Sequence, residues 1–251
     1  PLVAAAVNLS GIAPSLNTIN VATPNASATF TNVGTAVTTV GLSNVAQNNA
    51  DVSLTYVAGL TGSNDALTIN ISGASCATTG TAANYAQFDV TGAAAGDGFE
   101  VFNVNSTGST ANRLDTLTMG VSNTLKTVNV SGEAAFRVNT ALAATVTTIN
   151  ASNNTGGVNL GVAAGGNVTF TGGSGNDRID MAGGLTTSDV LNGGTGTNTL
   201  AISNQVITST TSTAINQAIN AATNFQKLEI TGTTTTGSSV AADGLTSIKQ
   251  F

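Results

Sequence analysis

The chain has no histidine, no tryptophan, one cysteine, three prolines and only six basic residues among 251. Each scarcity removes something. Without histidine, Ser-His-Asp and Cys-His catalysis and every histidine-containing zinc site are excluded. Cys76 permits no internal disulfide, and Ser75-Cys76-Ala77-Thr78 places no base beside it to lower its pKa, so it reads as a small apolar filler. The bases, Arg113, Lys126, Arg137, Arg178, Lys227 and Lys249, are scattered along a chain of net charge −6 and cannot neutralise a run of phosphates, which argues against nucleic-acid binding. No apolar run is long enough to cross a bilayer. Two tyrosines and eight phenylalanines are too few for a wide aromatic core.

In their place the chain has small polar residues. Charged side chains make up 7% of the sequence, against ~25% in ordinary soluble domains, so its surface must be wetted by the hydroxyls and amides of 43 Thr, 29 Asn and the serines. The N-terminal Pro1-Leu2-Val3 has no initiating Met, basic stretch or cleavage site. The other end stops in mid-pattern at Ile248-Lys249-Gln250-Phe251, and both ends read as cuts inside a longer polypeptide.

A phrase of the form apolar-Thr-apolar-Asn-apolar-Ser-Gly recurs along the chain. It is seen in Leu67–Gly73, Phe88–Gly92, Val128–Gly132, Ile149–Ser152 and Leu228–Gly232. Its period-two alternation indicates strands. The central apolar residues Val128, Ile149, Phe170 and Leu191 follow at steps of 21, Ile19 and Val40 are 21 apart, and Leu228 and Ile248 are 20 apart. A step of about 20 residues with one strand each describes a coil whose rungs bury their inward faces against one another. The expected fold is therefore all-β, a parallel β-solenoid of the β-helix or β-roll kind, with an all-β sandwich as competitor. Gly, Asn and Asp at the phrase ends suit tight corners, and stacked Asn and Thr can bond up the stack. Ile215, Ala218, Ile219 and Ala222 at helical spacing predict one short helix near 213–223. Three regions follow: Ala/Thr/Asn-rich rungs over 1–165, a Gly- and acid-dense stretch over 166–203, and the helix with returning strands over 204–251.

The dense stretch carries the chemistry. Gly172-Gly173-Ser174-Gly175-Asn176-Asp177-Arg178-Ile179-Asp180 fits Gly-Gly-x-Gly-x-Asp-x-apolar-x at every fixed position. A second copy begins at Gly193-Gly194-Thr195-Gly196 with Asn198 in place of the acid, and a stretched third runs from Gly183 through Asp189 to Leu191. Calcium takes six to eight oxygen ligands, and a Gly-rich turn exposes carbonyls to supply them. The expected sites are Gly172, Gly173, Gly175, Asp177 and Asp180, with Gly193, Gly194, Gly196 and Asn198 as the degenerate copy. Asp177 and Asn198 should share one edge of the coil and Asp189 the other, with Ca2+ bridging neighbouring rungs. Asp97, in Gly96-Asp97-Gly98-Phe99-Glu100, is a weaker candidate that reads first as a solvated turn. Asp51, Asp65, Asp115 and Asp243 read as surface charges.

These residues, with Lys126–Gly132 and Phe225–Ile230, resemble the RTX-type calcium-binding surface-layer proteins of Gram-negative bacteria. The nonapeptide is the specific part of the likeness. The resemblance implies type I secretion through a C-terminal signal, a location on the cell surface, and homo-oligomeric self-assembly into a calcium-dependent two-dimensional lattice without catalysis. Any contact with cell-surface polysaccharide would fall to a region outside these residues. A rival is a calcium-stiffened RTX adhesin or biofilm-matrix protein. A weaker one is a β-helix polysaccharide lyase or hydrolase built on Asp177, Arg178 and Asp180, disfavoured by the lack of aromatic sugar platforms.

Overall fold

The computed structural model describes residues 6–12, 15–22, 27–45, 51–74, 85–121, 124–203, 212–232 and 248. Cys76 and Asp243 lie outside them. Every strand pairing among the described residues is parallel, and the chain is a parallel β-solenoid.

A central sheet of eight strands runs along most of the stack: β2 (Thr18–Ala22), β4 (Thr39–Ser43), β6 (Ala66–Ser72), β8 (Val101–Thr107), β11 (Thr127–Gly132), β13 (Thr148–Asn154), β15 (Thr169–Thr171) and β17 (Val190–Asn192). A first flanking sheet holds β1 (Val7–Asn8), β3 (Ala28–Val33), β5 (Val52–Tyr56), β7 (Gln87–Thr91) and β10 (Thr116–Gly120). A second holds β9 (Asn112–Leu114), β12 (Phe136–Val138), β14 (Val158–Gly161), β16 (Arg178–Asp180), β18 (Thr199–Ser203) and β19 (Lys227–Thr231). The chain alternates between the central sheet and the first flanking sheet through β7, touches both flanking sheets at β9 and β10, and uses the second from β12 onward.

The 21-residue step seen in the sequence is a true rung. Val128 pairs with Ile149, Ile149 with Phe170, Phe170 with Leu191, and Ile19 with Val40. Most turns, however, carry two strands, and the turn from β8 to β11 carries three, where the sequence predicts one. The added strands β12 and β16 are three residues long and β14 is four, too short to show alternation in a sequence window. Leu228 belongs to the second flanking sheet, where it pairs with Leu200.

Alternation sends every second residue inward. The column Leu67, Phe102, Val128, Ile149, Phe170 and Leu191 is fully buried along the central sheet. Tyr56, Phe88, Phe99, Phe102, Phe136, Phe170 and Phe225 are buried; Tyr56 meets Phe99 edge-on at 5.0 Å, and its hydroxyl donates to the Val37 carbonyl at 2.8 Å. Burial raises the Tyr56 pKa, so the phenol stays protonated. On the outer face amides stack as expected: Asn129 donates to Asn103 at 2.8 Å, and Asn105 to Asn70 at 3.4 Å. The helix α1 (Ser212–Ala221) stands between β18 and β19, with Ile215, Ala218, Ile219 and Ala222 buried.

Phe170→Ala should cost about 3–5 kcal/mol, seen as a lower urea midpoint at unchanged slope. A loss under about 1 kcal/mol, the usual effect of a surface change, would place Phe170 outside the core.

Candidate metal centre

In a parallel stack the strand ladders stop at the corners, where backbone N–H groups need other acceptors. Here the side chain of one rung reaches the corner of the rung before it. Asn112 Oδ1 accepts from Ala74 N–H at 2.9 Å, Glu133 from Gly108 N–H at 2.9 Å, and Gln226 from Asn198 N–H at 2.6 Å. The predicted metal ligands belong to this series.

Asp177 ends the corner between β15 and β16 and is 1% exposed. Its Oδ1 accepts from Val158 N–H at 2.7 Å one rung back, and its Oδ2 accepts from Gly173 N–H at 2.8 Å within its own turn. Asn198, at the same corner one rung on, accepts from Asp177 N–H at 2.8 Å and donates to the carbonyls of Thr195 and Asn224 at 3.2 and 2.9 Å. Asp189 lies on the opposite edge, between β16 and β17. It accepts from Val168 N–H at 2.6 Å and from Thr186 N–H and Oγ1 at 2.7 and 3.1 Å. The edges are those expected from the spacing.

Two other candidates stand apart. Asp180 lies on the outer face of β16, where it meets Arg178 at 3.1 Å and accepts from Ala182 N–H at 2.9 Å. Asp97 is buried, not solvated, and accepts from Gly59 N–H at 3.2 Å. Glu100 beside it is also buried and accepts from Asp65 N–H at 2.8 Å. Asp51, Asp65 and Asp115 are half-buried, and Asp51 accepts from Gln87 N–H at 3.0 Å.

The glycines answer to close approach between rungs. A Cβ at Gly173 would fall on the Asn154 carbonyl, and one at Gly175 on the amide of Gly157. At Gly194 and Gly196 the backbone also has positive φ, +76° and +94°, which glycine adopts without a steric penalty.

Calcium's six to eight oxygens can be tested against this donor set. Asp177 is the one carboxylate in the stacked turns at 172–177 and 193–198, and each of its oxygens already receives a backbone N–H. The Gly173 carbonyl accepts from Thr195 N–H at 2.9 Å. Among the described residues no three acidic or cysteine side chains cluster. With the turns closed in this way, the residues present do not fit a calcium cage. A cation binding at Asp177 would have to displace the N–H donors or add to the remaining lone pairs of a buried carboxylate. The chemistry that the arrangement does provide is rung-to-rung fastening. The cluster Asp177, Arg178 and Asp180 is likewise divided, the first turned into the corner and the other two outward.

Sequence reasoning singled out Asp177, Asp189 and Asn198 as metal ligands, not as acceptors for corner N–H groups, and it missed Asn112, Glu133 and Gln226, whose shared role shows only when rungs are stacked.

Burial raises the Asp177 pKa against the opposing pull of the Val158 and Gly173 N–H groups. Because the folded state then holds this proton to higher pH than the unfolded chain, its ionisation lowers stability as pH rises from the ordinary aspartate value to the shifted one. A 13C carboxyl titration should place Asp177 above free aspartate; a value at or below it would mean that the N–H groups outweigh burial. Asp177→Ala leaves two buried N–H groups unpaired and should cost about 2–4 kcal/mol, equally in calcium and in EDTA. A loss confined to the calcium buffer would show direct coordination instead.

Compared with known proteins, the chain matches no family model, no curated protein and no solved structure, so its functional reading rests on the arrangement of its own residues.

Proposed function

We propose that this chain is a non-catalytic structural segment of a secreted bacterial surface-layer protein, which self-assembles outside the cell into a two-dimensional lattice. The supporting observation is the way the rod is held: corner side chains fasten each rung to the one before it, and uncharged amide ladders such as Asn103–Asn129 clad the central sheet. Such fastening favours stiffness over the bistability that a switch needs. A low-charge amide surface also leaves little repulsion between copies packed side by side.

Calcium-dependent stiffening of the same rungs, in a lattice or in an RTX adhesin, is the second reading. The nine-position match at Gly172–Asp180 favours it, although a cation would have to displace the N–H donors of the closed turns or add to the remaining lone pairs of Asp177. Export by a type I system is what the resemblance implies.

Immunogold electron microscopy of the source cell surface, with and without chelator, tests both. The lattice reading expects label on an ordered array. Label on dispersed filaments would favour the adhesin, and loss of an array on chelation would return calcium to the account.

A further inference from the structure

The bases that are scattered in sequence are aligned in space. Arg113 pairs with Arg137, Arg137 with Asn159, Asn159 with Arg178, Arg178 with Thr199 and Thr199 with Lys227. Four of the six basic residues of the chain thus stand in one column on the outer face of the second flanking sheet.

Their neutralisation is uneven. Arg178 is satisfied: its Nε and Nη2 meet the two carboxylate oxygens of Glu229 at 2.8 and 3.0 Å, and Nη2 also meets Asp180 at 3.1 Å. Arg113 stacks on Tyr85, with its guanidinium carbon 4.8 Å from the ring centre, and donates to the Tyr85 hydroxyl at 2.6 Å, but among the described residues it has no carboxylate partner. Arg137 makes no ion pair among the described residues, and its Nε is buried without a hydrogen-bond partner. That Nε is closed to solvent and out of an external ligand's reach, so a planar carboxylate would be held by the Nη1 and Nη2 end of the guanidinium, which is shaped to hold it through two parallel bonds. Burial first, then the charges of Arg113 and Arg178, hold the Arg137 pKa below the usual arginine value, as expected of a cation lacking its counter-charge.

The space is also present. Arg137, Asn159 and Arg178 are shared by two adjoining grooves of about 560 and 310 Å³. The larger includes the small residues Ala141, Gly161 and Ala182, and the smaller brings in Arg113 and Asn176. Both acids of the larger groove, Asp180 and Glu229, are engaged by Arg178, which leaves the Arg113–Arg137 end positive.

We propose that Arg137, flanked by Arg113 and Asn159, is a binding site for the carboxylate groups of a linear acidic polysaccharide lying along the solenoid axis. Neighbouring rungs are about 4.8 Å apart, so Arg113 and Arg137 offer successive cations to a chain of repeating anions, while the Asn159 and Asn176 amides can pair with sugar hydroxyls. A protein partner is less suited, because protein interfaces carry an apolar centre and, among the described residues, none of the exposed large apolar side chains lines either groove. The site does not rest on the surface-layer reading, and the binding measurement stands whether or not the chain forms an array.

Isothermal titration of the chain with polygalacturonate oligomers at low ionic strength tests it, with the methyl-esterified polymer and inorganic phosphate as comparison ligands. Polygalacturonate should bind, whereas the ester and phosphate should not bind comparably. Arg137→Gln should weaken binding about tenfold or more, equivalent to ~1.4 kcal/mol. Lys126→Gln, which removes an exposed base off the column, should change it less than twofold. Arg113→Gln gives a second reading of the column should Arg137→Gln disturb the circular dichroism spectrum. Four outcomes would overturn the proposal: no binding by the unaltered chain, equal binding of the ester, phosphate binding as tightly as the polymer, or equal losses in the Lys126 and column variants.

Discussion

The constraint on which the structure depends is the need to give every corner N–H an acceptor. Parallel strands satisfy one another along the ladders, but a solenoid must bend at least twice per rung, and at each bend the backbone leaves the ladder pattern. An unpaired buried amide costs about 1–3 kcal/mol, so a stack of unsupported corners would forfeit a large part of the marginal stability of a domain. Besides carbonyls of neighbouring rungs, the chain repeatedly uses a side-chain oxygen from the following rung. Asp97 serves Gly59, Asn112 serves Ala74, Asp177 serves Val158, Asp189 serves Val168, and Asn198 serves Asp177.

This device explains why Asp and Asn interchange at the corners. Either residue offers the required oxygen. Asn avoids burying a charge, and at Asn198 its amide nitrogen also reaches the carbonyls of Thr195 and Asn224. The aspartate at 177 instead uses both oxygens as acceptors, one between rungs and one inside its own turn. Glycines accompany these residues because the neighbouring rung's backbone occupies the space where a Cβ would stand. A Gly- and Asp-rich turn is therefore a requirement of close stacking before it is a requirement of metal binding, and the same residues answer to both descriptions in sequence.

Register has a second consequence on the outer face. Because β9, β12, β14, β16, β18 and β19 stack without slipping, residues tens of positions apart are brought into one line, and a sparse set of bases becomes a column. In a chain with few charges, such a column stands out against the amide background. It is also where, among the described residues, a cation is left without a counter-charge, since Asp180 and Glu229 are already held by Arg178.

The sequence by itself determined the strand phrases, the parallel coil, the 21-residue rung and the helix with its buried stripe, because period-two and period-3.6 burial are local patterns. The opposite edges of Asp177 and Asp189 followed from spacing for the same reason. Only the tertiary structure decided that a rung adds one or two flanking strands to its central one, and in the later rungs three-residue strands such as Arg178–Asp180 alternate too briefly to be read. It alone decided what the corner acids touch and that Arg113, Arg137, Arg178 and Lys227 share one line. Hydrogen-bond partners and charge neighbours in a solenoid lie a full turn away, at distances along the chain set by loops of unequal length.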